Sequence, residues 1–393
     1  FRVCCCLVVN ATIRIVGEEE MLEIREVQEI RRLKKFVAMP WDLYKNDHYW
    51  VPPLRTQLLR TLQGKNNPLL AAGEPHTFFL AFQGKRVVGR ILVGVNTKLN
   101  QKKDKKEGYI SLFESVADQR VAFSLFDVAS QWLRERGLTR MVGPVSPTNG
   151  DDYRGILIKG FDGPPVLMNS YNPSYYQQLF EGYGFEKNMD LYAFHLDVAS
   201  LDDKRYGRIV AYAMKKFKFK VERFHKQKME REIRDIKKIL EVSMPATWEH
   251  LTPPSLAEIR SEVRTLAQFM DPDLVYIARS GEEPIGFVVA LPDYNQVIKK
   301  LNGRLLPFGW VKYLWYKQRI SGVRVFIQFV VPKFRNKAVN SAIYHRLMLE
   351  ARKKGYVYGE GSAIAEMNLE SIRSVEGVGG KLYRVYRIYQ KDL

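Results

Sequence analysis

Apolar and polar positions along the chain change period repeatedly, and the changes delimit elements. In residues 22–37, Ile24, Val27, Ile30, Leu33 and Phe36 recur at three-residue steps with Arg and Lys between them. That spacing predicts an amphipathic helix ended by Pro40. The stretch 40–54 is rich in Trp, Tyr and Pro and reads as a long ordered loop. Residues 78–81 and 87–95 predict a hairpin around a glycine turn at 83–86. A charged connector (98–107), a strand (109–115), a helix (121–137) and a strand (140–145) follow. A polar loop leads to a short helix from about residue 174, closed by Gly184, and to a strand at 190–196. Residues 202–241 are helical in pattern and very basic. The order then recurs: a helix at 256–270, a hairpin of 274–279 with 285–291, and a helical Trp/Tyr-rich insertion at 297–318. A strand, a basic loop, a helix, a strand at 356–360, a short helix at 369–375 and paired strands within 381–389 complete it. Such recurrence predicts two tandem domains of one α/β (α+β) kind.

Residues 323–356 carry the clearest chemistry. Val323, Val325, Ile327 and Phe329 alternate with Arg324, Phe326 and Gln328, which predicts a strand. Pro332 ends it because proline cannot donate to a ladder. A basic loop, 333–337, precedes a helix marked by Ile343, Leu347 and Ala351, with Gly355 as its cap. A helix start behind a basic loop is an anion-binding arrangement, because unpaired amides and the positive dipole end face the loop.

Length and charge narrow the choice of partner. At 393 residues there is room for two domains. Lys and Arg number 62 against 43 Asp and Glu, a net charge of +19. That excess favours CoA-type phosphates, nucleic acid or an anionic membrane surface, against the alternative of a merely basic surface. The lysines between 215 and 228 read as a solvated helix face or as a site for an acidic partner. Cys4, Cys5 and Cys6 are adjacent and no later cysteine exists to pair with them. This excludes a disulfide framework and Cys/His metal spacing, and it predicts a cytoplasmic location with no metal. Residues 1–20 read as an upstream or tag-like extension, and no stretch is apolar enough to span a membrane.

The order of elements, together with local strings, resembles the GNAT acetyltransferase superfamily twice over. Val331-Pro332-Lys333-Phe334-Arg335, following Val330, resembles the family's V-x-P-x-[YF]-R entry to its phosphate loop. Asn368 through Gly379-Gly380, and Asn172 through Gly184-Phe185, are similar to a later family string. GRILVGVN, WLRERGLTRMVGPVSPTNGDDY, GFDGPPVLMNSYNPSYY and YRVYRIYQKDL resemble a bacterial family of GNAT-like proteins over roughly residues 21–393. The resemblance implies two GNAT-like acyl-CoA N-acyltransferase domains, each a mixed, mostly antiparallel sheet flanked by helices. They would span 21–200 and 241–393, with a basic linker at 201–240. It implies an acetyltransferase that moves an acyl group from acetyl-CoA or another acyl-CoA to a small-molecule or peptide amine. Two other readings stay open: a Fem-type transferase using aminoacyl-tRNA, and a degenerate GNAT-like binding protein.

Residue by residue, the resemblance points to Val330, Val331, Lys333, Arg335, Asn336, Lys337, Ala338, Val339, Asn340 and Asn368 for CoA. Ala338 and Asn340 stand where the family's glycines are expected, and the first domain has no phosphate loop between Glu114 and Val121. The family's tyrosine acid is replaced by Val375 and by Phe180. Tyr383, or Tyr386, is the candidate substitute, and Glu360 or Glu366 at the end of a strand the candidate base. Asn149, Asp151, Asp152, Tyr153, Arg154 and Asn172 are substrate candidates, with turn chemistry as the alternative for the loop. The six histidines show no metal or triad spacing.

Overall fold

The computed structural model describes residues 12–15, 21–65, 67, 69–148, 150–199, 203–244, 253–266 and 270–393. In chain order the elements begin with β1 (Thr12–Ile15), β2 (Leu22–Glu26), α1 (Ile30–Leu43), α2 (Arg55–Leu62), β3 (His76–Gln83) and β4 (Arg86–Gly94). They continue with α3 (Thr97–Lys103), β5 (Glu107–Ser115), α4 (Gln119–Arg134), β6 (Arg140–Gly143), β7 (Ile156–Lys159), α5 (Tyr176–Gly182) and β8 (Glu186–Asp197). Then come α6 (Asp203–Lys216), β9 (Lys220–Arg223), α7 (Met229–Ser243), α8 (Leu256–Leu266), β10 (Val275–Ser280) and β11 (Glu283–Pro292). The chain closes with α9 (Asn295–Leu301), α10 (Gly309–Lys317), β12 (Gly322–Val330), α11 (Val339–Lys353), β13 (Tyr358–Ala365), α12 (Leu369–Gly377) and β14 (Lys381–Asp392).

The chain divides into two compact units. The first holds residues 1–191, 297–314 and 384–393; the second holds 192–296 and 315–383. In the first, β1 to β5 pair antiparallel in sequence order and β5 pairs parallel with β6. The chain's last residues complete this sheet, since β14 lies antiparallel to β6 through Tyr389↔Gly143 to Asp392↔Arg140. In the second, β9, β10, β11 and β12 are antiparallel and β12 pairs parallel with β13. This is the mixed, mostly antiparallel α/β architecture expected.

Several local expectations need correction. Residues 22–26 form a strand, not the start of a helix: Leu22 and Ile24 alternate into the core and pair with β3. The helix that follows continues through Pro40, which the sequence reading took as its end and the start of a loop. A proline inside a helix leaves the carbonyl four residues earlier without its donor. Here the buried Arg90 guanidinium donates to Phe36 O at 2.8 Å and fills that vacancy. The charged connector after β4 contains a short helix, α3, capped by the Asn96 side chain. The basic stretch 202–241 is not wholly helical, because Lys220–Arg223 pairs with β10. The chain ends in one long strand, not two. Thr12–Ile15 lies along β2 as an edge strand, which leaves open the expectation that residues 1–20 are an extension.

Burial explains both cores. In the first unit α4 presses Val121, Leu125, Phe126, Ala129 and Leu133 onto the sheet, where Phe113, Phe126, Phe180 and Phe185 meet ring to ring. In the second, α11 buries Ile343, Leu347 and Ala351, the four-residue series read from the sequence.

Candidate functional site

The site is built where β12 and β13 part. The two strands are in parallel register over only four pairs, Gly322↔Tyr358 to Val325↔Gly361. Beyond that, β12 continues to Val330 paired only with β11 on its other edge. Phe326, Ile327, Gln328 and Phe329 are correspondingly half-buried, while Val323 and Arg324 are buried. The result is a wedge-shaped opening between parallel strands with backbone groups along its β12 edge left out of that ladder. Buried polar groups normally have partners. Gln328 Oε1, on the parted stretch, is buried without a hydrogen-bond partner among the described residues.

The loop after β12 closes one end of the wedge. Val331 is buried, and Pro332–Phe334 form a 3-10 turn. Asn336 and Ala338 then take left-handed backbone conformations, both with φ of 58°. These are the positions that would favour glycine, so the register differs from the sequence reading, which looked for glycines at 338 and 340. Asparagine enters this conformation more readily than most residues, and alanine pays only for its Cβ. Asn340 needs no special backbone because it already lies in the helix. Replacing Ala338 with Gly is expected to raise stability by roughly 0.5–1 kcal/mol. A denaturation midpoint that falls in Ala338→Gly would contradict this account of the loop.

Ala338 is also the N-cap of α11, and its side chain makes no capping hydrogen bond. The first helical bond runs from Ala342 N to Ala338 O, so the amides of Val339, Asn340 and Ser341 precede the helical ladder. No acidic residue stands in the first turn. Lys333 and Asn336 are exposed beside it, and Lys337 sits over the Phe334 ring, its ammonium 4.8 Å from the centroid. Arg335 is occupied differently. Its guanidinium donates to Val330 O and Ser243 O, at 3.4 and 3.1 Å, and pairs with Glu370 at 3.4 Å. It therefore braces the loop. Asn340 donates to Ser374 Oγ at 3.3 Å, and its Oδ1 is buried with no hydrogen-bond partner among the described residues. Asn368 caps α12 by accepting from Ser371 N at 3.2 Å.

The corresponding place in the first unit is filled from within. The parallel register of β5 with β6 covers Glu107 to Tyr109 only. The N-terminus of α4 is capped by Asp118, whose side chain accepts from Arg120 N and pairs with the Arg120 guanidinium at 2.9 Å. The Arg120 hydrogen bond, foremost, holds the Asp118 carboxyl below its usual range. A helix end that carries its own carboxylate is a poor host for a second anion.

Alternation along β13 sorts the wedge into two faces. Tyr358, Glu360 and Ser362 face one way and Gly359 and Gly361 the other. On the polar face Glu360 is fully buried. It accepts from Ser362 Oγ at 2.5 Å and from the Tyr383 hydroxyl. Its register partner on β12 is the fully buried Arg324, which also donates to Ser362 O at 3.2 Å. Tyr358 occupies the space that a side chain at Gly322 would need. Its hydroxyl donates to Asp293 at 2.7 Å and accepts from Gln296 at 2.9 Å. Burial, with the Asp293 carboxylate adding to it, pushes the Tyr358 phenol far above its ordinary value. His195, exposed on β8, stacks on the Tyr358 ring and meets Tyr383 edge-on, with centroids 5.7 and 5.8 Å apart.

The structure thus joins two of the four residues named as acid–base candidates, Glu360 and Tyr383. Glu366 lies beyond the end of β13 and is half-buried. Tyr386, the other tyrosine considered, is buried and belongs to the first unit. Sequence reasoning missed His195, Arg324, Tyr358 and Asp293. Arg324 and Tyr358 do fall at alternating positions on the strands that carry the wedge. His195 had no spacing signal, because its partners come from other strands.

On the apolar face, Gly359 and Gly361 leave a narrow pocket. Val323, Val325, Leu347, Met348, Leu196 and Val375 line it, among others. Val375 stands where the family's tyrosine acid was looked for, and it packs on Gly361.

The substrate candidates of the first unit are mostly engaged in the loop itself. Arg154 donates to Asp151 at 2.9 Å, and Asp152 accepts from Ser146 and Thr148 at 2.7 and 3.3 Å. Tyr153 takes a left-handed conformation and is exposed. Asn172 is buried and brackets the Leu157 backbone, accepting from its N–H at 2.6 Å and donating to its C=O at 3.2 Å. Asn149 lies outside the described residues. Among those residues no group of three or more His, Cys, Asp or Glu is arranged to hold a metal.

Parted parallel strands, a loop entering a helix start and the two-unit architecture define the GNAT fold in tandem. A tandem GNAT protein from the clavulanic acid biosynthesis pathway, solved without acetyl-CoA, has the same fold at a TM-score of 0.58. It is 10% identical, and the match covers 94% of this chain and 98% of that one. No protein-family model matches the chain. A "Bacterial ceramide synthase" of Caulobacter vibrioides (strain NA1000 / CB15N) is 31% identical over 384 residues, covering 95% of this chain and 98% of the relative. Protein YghO of Escherichia coli (strain K12) is 29% identical over 372 residues, covering 92% and 93%. The chain belongs to the family of the Caulobacter protein.

Proposed function

We propose that the chain is an N-acyltransferase that moves a fatty acyl group from an acyl-CoA to the primary amine of a long-chain, sphingoid-type acceptor. The observation that carries the donor half is the α11 start behind a left-handed Asn336–Ala338 loop, set at the mouth of parted parallel strands. There the amides of Val339, Asn340 and Ser341 would receive pyrophosphate, with Lys333 and Lys337 adding charge. Ala338 and Asn340, standing where the family's glycines are expected, weigh little against CoA binding, because the left-handed positions are Asn336 and Ala338. The fatty character is supported by the name of the Caulobacter relative; the cleft behind Gly359 and Gly361 is apolar, but at about 20 Å³ it would have to widen to take an acyl chain. The acceptor is supported by the name of the Caulobacter relative, since a ceramide is an N-acylated sphingoid base.

In this reading the protein's own groups manage one proton. The bound thioester supplies an electrophilic carbonyl. The acceptor ammonium gives its proton to the Tyr383 hydroxyl oxygen as that hydroxyl passes its own proton to Glu360. The freed amine lone pair forms the C–N bond, the C–S bond breaks, and the second proton lost by the nitrogen goes to the departing thiolate, leaving the neutral amide and free thiol. Arg324 and Ser362 hold Glu360 in place, and His195 orients the Tyr383 ring.

The test is to incubate the purified protein with palmitoyl-CoA and sphinganine and to look for the amide by mass spectrometry. N-palmitoyl product and released thiol in equal amounts are expected. Absence of both, with acetyl-CoA and short amines as well, would sink the reading. Gly359→Leu is expected to fill the pocket and to lower palmitoyl transfer at least tenfold relative to acetyl transfer. Equal loss with both donors would place the chain elsewhere.

A further inference from the structure

Residues 305–314 expose more large apolar surface than any other run of the described chain. Leu306 and Phe308 are 75% and 76% exposed, and Leu305, Trp310, Val311 and Leu314 lie between 41% and 55%. Helix α10, which carries the last three, buries none of its residues. An ordered helix with apolar residues and no buried face lacks the usual reason to be ordered in water. Its base is fixed. Gly303 O accepts from Arg55 N at 3.1 Å, Asn302 accepts from Trp41 Nε1 at 3.0 Å, and a side chain at Gly303 would collide with the Trp41 ring. The Lys299 ammonium donates to His48 O. Trp310 N closes the tip on Leu305 O at 2.9 Å. The segment is thus a braced projection whose apolar side chains point away from the core.

We infer that this projection docks on an anionic lipid bilayer, with Leu306, Phe308 and Trp310 entering the headgroup–acyl boundary. Charge selects the occupant. Lys299, Lys300, Arg304, Lys312, Lys317 and Arg319 flank or interleave the apolar positions, and no Asp or Glu occurs from residue 294 to 349. Apolar and aromatic side chains among lysines and arginines, in a run of sequence without Asp or Glu, is the composition of interfacial anchors; Asp47 stands at the braced base, beside Lys299. A protein partner would have to meet the same apolar surface with acidic groups around it; a bilayer of acidic lipids offers both at once. Among the described residues no helix is long and apolar enough to cross a membrane, so the contact is peripheral.

Flotation with vesicles of phosphatidylcholine alone, and with added phosphatidylglycerol, tests this without either substrate, so the result is independent of the acyl-transfer reading. The wild-type protein is expected to float with the anionic vesicles at low salt and to dissociate as salt rises. Leu306→Ser, Phe308→Ser and Trp310→Ser combined should lower the bound fraction about tenfold or more. The melting temperature should not move, because all three side chains are exposed. Arg304→Glu with Lys312→Glu should remove the preference for anionic vesicles. Wild-type protein that stays with the soluble fraction, or a triple variant that binds as well as wild type, would overturn the inference. So would self-association abolished by the triple variant in the absence of vesicle binding, since the occupant would then be a second copy.

Discussion

Glu360→Gln is expected to lower acyl transfer by about a hundredfold or more, the usual scale for losing a positioned proton acceptor. Binding of CoA should be unchanged, because Glu360 is on the polar face of β13 and the loop proposed to take the phosphates follows β12. Gln keeps the shape; its one carbonyl oxygen can accept from one of the two hydroxyls while its amide donates to the other, so the fold should persist. Tyr383→Phe leaves Glu360 without its link to the wedge and should cost a comparable factor. Single-turnover thiol release with saturating donor, together with CoA titration, separates the two effects. A Glu360→Gln protein within about threefold of the wild-type rate would remove this pair from the mechanism.

The largest expected effect on stability lies in the first unit. Arg90 is 3% exposed and donates to Phe36 O, while its other amine reaches Glu114 at 3.4 Å. Glu114 also accepts from the Tyr44 and Tyr176 hydroxyls at 2.8 and 2.7 Å. Burial lowers the Arg90 pKa and raises that of Glu114, and each charge offsets the cost to the other. Removing the cation alone leaves the carboxylate buried and the Phe36 carbonyl without a donor. Arg90→Met should therefore cost about 3–5 kcal/mol. Adding Pro40→Ala restores a helical N–H for Phe36 O and should recover roughly 1 kcal/mol of that loss. Urea midpoints at constant m-value measure both steps. A loss under about 1 kcal/mol for Arg90→Met, or no recovery in the double variant, would mean the guanidinium does not serve the proline helix.

Periodicity made much of the fold legible. Hairpins with a glycine turn, the α4 and α11 faces and the strand ended by Pro332 follow from spacing and from proline's missing donor. The recurrence of one element order gave the tandem architecture. What spacing could not resolve were the short strands β2, β7 and β9, whose few residues are specified by their partners. Helix α1 shows the same limit: its passage through Pro40 depends on an arginine fifty residues away in sequence. In the site, Glu360 was visible as a carboxylate late in a strand and Tyr383 as a nearby tyrosine. Their hydrogen bond was not, since it joins β13 to β14. Nor was His195, whose relation to both tyrosines is set by β8. The chain does turn between β12 and α11 after Pro332, but the left-handed residues there lie two positions earlier than expected.

The central claim is that the chain holds one CoA-type anion site, at the α11 start, and that Asp118 closes its counterpart at α4. Calorimetric titration of CoA into wild type, Ala338→Gly and Ala338→Asp tests it most directly. A stoichiometry of one, kept in Ala338→Gly and weakened at least tenfold when Ala338→Asp sets a carboxylate at the helix start, is the predicted result. Two sites per chain, or an affinity indifferent to Ala338→Asp, would contradict it.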